Sequence, residues 1–444
     1  METFKEKKMR NKTLIFTMCQ LLITSLFLGM AMAQNPAPGR MAQGVVTLKG
    51  ATIHIGDGNI IENGAISFLD GKLTYVGNAN AAPGGTVHDV TGKHIYPGLI
   101  SLNTTVGLKE VASVRATLDY YEVGDINPHI RALVAYNTDS EVIPTLRANG
   151  ILLSQAVPEG GIVSGSSSTF YSDGWNWEDA VLKKDDGVWL SWPAYMSTAI
   201  NAQDLSTLTK KNEQRQAVVE LLKTTFAEAM AYAQIKNPSP VNIRMEAMKP
   251  ILRGDANLYI RAEHAKDMIE AVRFAKEFNI KKIVIAGGDQ SYKIVDFLKE
   301  NDVSVIVNPT HRLPNNADEP VYLPYELPGL LQQAGVRVAI TYSGEWWRTR
   351  NLAFLAGTAA GFSKMTSEQA LQLITKNAAE IAGVDQEVGT LEVGKHASIL
   401  VSTGDLLDMR GNGIEKAYIR GAEVKLDDKQ KRLYMKYQEK YQAK

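Results

Sequence analysis

Groups able to do chemistry are few and scattered in this 444-residue chain. It holds seven histidines (His54, His88, His94, His129, His264, His311 and His396) and one cysteine, Cys19. His54, His88, His94 and His396 fall in short β-type runs near the two chain ends, where isolated histidines serve as surface or hydrogen-bonded residues. His264 opens a helix. His311, in Pro309-Thr310-His311-Arg312, follows an apolar strand and is the better placed to line a pocket. The run Gly344-Glu345-Trp346-Trp347-Arg348 is an aromatic and charged loop in a similar position, with Glu345 as its proton-transfer candidate. Gly160 to Ser168 is rich in glycine and serine, yet it lacks the Gly-x-Ser-x-Gly spacing of a nucleophile elbow and the lysine of a phosphate-binding loop. It reads as a structural loop. Lys183-Lys184-Asp185-Asp186-Gly187 reads as a solvated turn rather than a catalytic carboxylate pair.

Residues 1–33 have the layout of an export signal. Lys5, Lys7, Lys8, Arg10 and Lys12 form a basic head, an apolar run extends from Leu14 to Met30, and Ala31-Met32-Ala33 supplies a small-x-small cleavage site. Cleavage there would remove Cys19, leaving no thiol for disulfide, metal or nucleophilic chemistry. The segment holds five of the 48 Lys and Arg residues and two of the 48 Asp and Glu residues, so the remainder carries a net charge of about −3. That balance favours neither nucleic acid nor a membrane surface. A periplasmic or secreted location is expected, with no membrane attachment after signal cleavage.

The elements that must position any site follow from the hydrophobic patterning. Residues 34–43 read as a mobile leader. From Gly44 to Val90 short alternating runs are broken by Gly, Asn and Asp, and Asp70-Gly71 between two such runs signals a tight hairpin. The same texture returns in Gly389 to Val401 and Ile414 to Gly421. Residues 44–96 and 388–430 are therefore expected to form one β-sandwich module from both chain ends, followed by a polar tail, 431–444. Between them, residues 97–387 alternate apolar strands with helical periods, as an α/β fold of the (β/α)8 barrel type requires. The strands are clearest at Leu258–Arg261, Lys282–Gly288, Val303–Pro309 and Val336–Ser343. A polar helix near Asp204–Lys236 is expected to leave the barrel as an excursion.

Two segments carry a family resemblance. His94-Ile95-Tyr96-Pro97-Gly98-Leu99-Ile100 resembles the Pro-Gly-Leu-Ile strand of the amidohydrolase superfamily, and Gly389-Thr390-Leu391-Glu392-Val393-Gly394-Lys395-His396-Ala397-Ser398-Ile399-Leu400 is similar to its closing segment. The Gly160–Ser168 run resembles a loop of exported, imidazolonepropionase-like members. The resemblance implies a metal site at the strand ends, with a His-x-His pair on strand one, a histidine on each of strands five and six, and an aspartate on strand eight. Those positions hold Asn103 and Thr105, Arg261, Ala286 or Gly287, and Tyr342. Neutral Asn and Thr oxygens are weak donors, and an arginine has no acceptor lone pair. The expectation is thus a barrel with its metal ligands substituted and no cofactor, zinc or another divalent ion being required only if that reading fails. Asn103, Thr105, Arg261, His311, Tyr342 and Glu345 are the pocket candidates. Two functions remain open. One is a non-catalytic partner or binding protein, pairing with an active relative or with itself, or taking a small-molecule or peptidic ligand. The other is a hydrolase of non-peptide carbon–nitrogen bonds that uses a rebuilt, metal-independent site.

Overall fold

A computed structural model describes residues 37–200, 207–315, 318–343 and 346–442, with side chains left out at 197–200 and 207–208. The expected signal segment and Glu345 lie outside the described residues. The first strands are β1 (Arg40–Met41), β2 (Val46–His54), β3 (Ile60–Leu69), β4 (Lys72–Asn78), β5 (Thr86–Asp89) and β6 (His94–Pro97). β3 and β4 are joined at Asp70-Gly71, both with positive φ (48° and 81°), the backbone that a two-residue hairpin needs and that Asp-Gly supplies. The last strands, β17 (Ile399–Ser402), β18 (Ile414–Ile419) and β19 (Ala422–Val424), join them in a nine-stranded sheet of order β1-β19-β18-β17-β6-β2-β3-β4, with β5 also on β2. The strands of both ends thus form one continuous hydrogen-bonded sheet. Leu48, Ile53, Ile66, Phe68, Ile95, Ile399 and Tyr418 close its own core. Arg40 and Met41, expected in a mobile leader, pair with Glu423 and Ala422, and the expected tail from residue 431 continues a helix, Lys429–Gln442.

The remaining strands build the barrel: β7 (Leu99–Thr104), β8 (Ile151–Ala156), β9 (Val163–Tyr171), β10 (Val181–Ser191), β13 (Asn257–Ala262), β14 (Ile283–Gly287), β15 (Val303–Val307) and β16 (Val338–Ile340), hydrogen-bonded in that order. The numbering passes over a separate hairpin, β11 (Met196–Ile200) with β12 (Thr207–Lys211). β10 through β16 pair in parallel, as expected from their apolar runs, and so do β7 and β8. β9 corrects the expectation of an all-parallel barrel, because it runs antiparallel to both neighbours. Residues 157–162 are too few for a helical crossover, which takes a dozen or more, so β8 turns back on itself. Most of the Gly/Ser-rich run read as a loop, from Val163 to Ser168, is therefore strand and buried, while Gly160 and Gly161 form the exposed turn before it.

The barrel is nearly closed. Between β16 and β7 the gap is spanned by Leu373 and Ile374, whose carbonyls accept from the N–H groups of Ile340 (3.3 Å) and Ile100 (2.9 Å), while the Thr341 hydroxyl donates to the Leu102 carbonyl. Trp189 and Tyr259 stack at 4.4 Å within the barrel wall. The excursion comprises the β11–β12 hairpin and helices Arg215–Ala233 and Ile243–Arg253. Leu222, Phe226 and Ala229 recur at helical spacing on its buried face, and Phe226 meets Phe274 and Phe278 at 4.9 and 5.4 Å.

Candidate functional site

The C-terminal strand ends of the barrel surround a cavity of about 310 Å³, lined among others by Asn103, Glu159, Arg261, Glu263, Asn308 and Ser343. Asn103 ends β7 with φ of 51°, a left-handed conformation that asparagine tolerates better than most residues, and its N–H donates to Gln155 Oε1 (3.1 Å). Arg261, at the end of β13, lies over the Trp189 ring (4.7 Å) and donates to Ser164 Oγ and the Pro158 carbonyl, both at 3.0 Å. Burial brings its guanidinium down to about 10, against the pull of Glu159. Even so it remains cationic at neutral pH, and with five N–H groups it keeps donors beyond those two bonds.

The other sequence candidates scatter. Thr105 is 6% exposed and lies outside the cavity lining. Tyr342 is 8% exposed, and its neighbour Ser343 lines the cavity instead, donating to Asn308 Oδ1 (3.3 Å). His311 pairs with Thr358 Oγ1 (2.6 Å) outside the cavity lining, and burial lowers its pKa. Ala286 and Gly287 do reach the cavity.

Glu263, Asn308 and Asp289 are what the sequence reading missed. Asn308 Nδ2 bridges two carboxylates, at 3.2 Å from both Glu263 oxygens and 3.0 Å from Asp289 Oδ1. Arg312 reaches Asp289 (3.1 Å) and Glu319 (3.2 Å) behind them. Enclosure by protein and then the charge of Asp289 push the Glu263 carboxyl up to about 7. Solvent reaching it from the cavity screens part of that effect. A usable signal existed: Glu263 is two residues beyond Arg261, and period two places both on one face of the strand.

Asp186 was read as part of a solvated turn and is instead fully buried on β10. The strand is bulged here and Asp185 takes φ of 47°, which breaks the alternation and turns residue 186 inward while Asp185 pairs with Arg131 (2.6 Å) outside. The Asp186 carboxylate accepts from Ser167, from Thr169 (2.7 Å) and from Gln155 (3.0 Å). Burial raises its pKa despite those donors. Gln155 thus links this buried carboxylate to the Asn103 backbone at the mouth.

Do these strand ends suit the divalent metal that the fold implies? Among the described residues no group of three or more His, Cys, Asp or Glu side chains is arranged to hold a metal ion. Arg261 brings positive charge to the strand-five position. At strand six, a side chain on Gly287 would overlap the Glu263 carboxylate, so a ligand there has no room without displacing it. The donor set present does not fit such a metal.

The chain is thus a nearly closed eight-stranded α/β barrel with a cavity at its strand ends. Residues 325–424 match the sequence model of the Amidohydrolase family. The chain is 35% identical over 118 residues to amidohydrolase tasK of Hapsidospora irregularis; the match takes in 24% of this chain and 12% of that protein. The chain thus spans about an eighth of the length of this curated relative. The crystal structure of an amidohydrolase from Thermotoga maritima superposes with a TM-score of 0.75 at 24% identity, over 86% of this chain and 99% of that one. A prolidase complexed with N-methylphosphonate-L-proline (TM-score 0.52, 16% identity, 86% and 100% coverage) and an adenosine deaminase from Xanthomonas campestris with bound zinc (0.52, 12%, 92% and 99%) share the barrel more distantly. At these identities the likeness is one of fold.

Proposed function

We propose that this chain is an exported amidohydrolase-superfamily protein whose strand-end site has given up metal-dependent hydrolysis and serves as the binding site of a non-catalytic partner or binding protein. Arg261 carries the reading. At the strand-five position, where metal chemistry needs a lone pair, it presents a fixed cation stacked on Trp189 and held by Pro158 and Ser164. Such a group suits a small anionic ligand. The basic head, apolar run and Ala-x-Ala exit of residues 1–33 support export to a periplasm or the cell exterior. The resemblance of the Gly160–Ser168 run supports an exported, imidazolonepropionase-like ancestry, and the partner would be an active paralogue or a second copy of this chain. Elemental analysis of protein purified without chelators tests it: zinc, manganese or iron should be well below one equivalent. A full, tightly held equivalent overturns the reading.

A second reading, hydrolysis without a metal, is favoured by one observation: Glu263 beside Asp289 holds a carboxyl that titrates near neutrality, as a general acid or base must. Turnover of carbon–nitrogen substrates by metal-free protein, abolished in Glu263→Gln, would establish it.

A further inference from the structure

We propose a second binding site, at the end of the barrel remote from Arg261, for a small organic anion that joins a phosphate or carboxylate to a flat apolar group. Two tight turns from opposite ends of the chain build it. Asp70-Gly71, between β3 and β4, and Arg420-Gly421, between β18 and β19, all have positive φ, and Gly421 packs directly against Gly71. The segment around Ala397 clasps both turns: its N–H donates to the Gly71 carbonyl (2.8 Å), and its own carbonyl accepts from the Gly421 N–H (2.9 Å). Lys72 pairs through its backbone with His396. The clasp therefore gathers Lys72, Arg420 and His396 beside one cavity of about 510 Å³.

The barrel supplies the rest. Because β9 runs antiparallel, its last residue, Tyr171, emerges at the end of the barrel opposite the mouth. Tyr171 Oη and His396 Nδ1 are hydrogen-bonded (2.6 Å); in the Nε2–H tautomer the hydroxyl donates and the ring keeps its own N–H for a ligand. Arg420 lies over the Tyr171 ring (5.0 Å), donating to the Asp179 carbonyl. Trp175, 71% exposed, also lines the cavity as a flat apolar wall. Carboxylates line it too. Asp173 is tied to Arg147 (2.6 Å) and to the Gly39 N–H (2.9 Å), which leaves Asp70, Glu178 and Asp179 as the other acids. At His396 the cations prevail, since after burial its pKa is lowered by Lys72 and Arg420. An ammonium, a guanidinium and a ring N–H beside an open indole match an anionic group on a planar body.

Isothermal titration calorimetry of the purified protein tests this with phenyl phosphate, benzoate and, as a cationic control, benzylamine. At least one anion should bind with a sub-millimolar Kd, weakening as salt rises, and benzylamine should not. The stronger anion identifies the head group. Lys72→Met with Arg420→Gln should weaken binding at least about tenfold, and Trp175→Ala about threefold, on the usual scale for charged and aromatic anchors. Because the mouth at Arg261 suits an anion too, each titration is repeated in an Arg261→Met background, in which the affinity assigned to this second site should persist. Should the double variant fail to fold, Lys72→Met alone reads the same effect, because Lys72 is exposed. Absence of binding by both anions at 10 mM, equal binding of benzylamine, or loss of binding in Arg261→Met but not at Lys72 overturns the proposal.

Discussion

Arg261 is a desolvated cation whose direct hydrogen-bond partners, Ser164 and Pro158, are neutral, with Glu159 as its acidic neighbour, and such a residue is kept for what it binds rather than for the stability it confers. Replacing a buried charge with an apolar side chain of similar volume is neutral or stabilising by about 1–4 kcal/mol in other proteins. Arg261→Met should therefore unfold at the same temperature or higher while losing any anion affinity at the barrel mouth; a large drop in Tm would make Arg261 a structural residue. Glu263 carries a pH dependence of definite sign. Its folded pKa lies above the unfolded value of 4.5, so its contribution to stability is full below pH 4.5 and is lost as pH rises through about 7. Glu263→Gln removes that dependence, so the variant should gain on the parent from pH 4.5 to pH 7 in denaturant titrations. Gly287→Ala places a methyl group in the space of the Glu263 carboxylate at φ of 104°, and a loss of about 1–3 kcal/mol is expected from strain of this kind.

Between elements, buried polar links carry the argument. Asp186 on β10 satisfies Ser167 and Thr169 on β9 and Gln155 on β8. Asp186→Ala would orphan these donors in the interior, at about 3 kcal/mol or more, whereas Asp186→Asn, which keeps an acceptor, should cost less. The seam between sheet and barrel has its own relay. His54 on β2 donates from Nδ1 to Glu368 (2.6 Å), at the start of helix Ser367–Gln372, while its Nε2 meets His94 Nδ1 on β6 at 3.0 Å. Two nitrogens this close share one hydrogen, so a second proton breaks the link. Tyr96 stacks on His54 at 4.1 Å, and Asp405 and Glu62 partly offset the effect at His94. Burial first, then His54, lower the His94 pKa, so its contribution is present above about 6.5 and lost as pH falls below that value. Thermal stability should decline from pH 7 to pH 5, and His94→Gln should flatten the decline; an unchanged slope would remove His94 from the account.

Legibility differed from strand to strand. β13 to β16 announced themselves as apolar β-branched runs, and the helix expected to open at His264 is Ala265–Glu277, with His264 as its N-cap. β9 did not, because Ser164, Ser166, Ser167, Ser168 and Thr169 carry the composition of a loop. Their burial is explained only by partners such as Asp186, which no local pattern predicts. At the mouth, Asn103 and Arg261 were legible from their strand positions. Asp289 and Asn308 were not, because their link to Glu263 crosses three strands.

Across the whole molecule, the sheet that pairs residue 97 with residue 399 bears on the order of events in the life of the chain. β6 has no antiparallel partner until β17 is available, and the clasp around Ala397 cannot form until the second of its two turns exists. Contacts so distant along the chain are slow to close. A nascent or translocating chain would thus present β2 to β6 as an unfinished sheet with an open edge, and only the arrival of its final fifth would seal it. Under the export proposed above, that delay would keep the sheet from locking shut until β17 had followed β6 across.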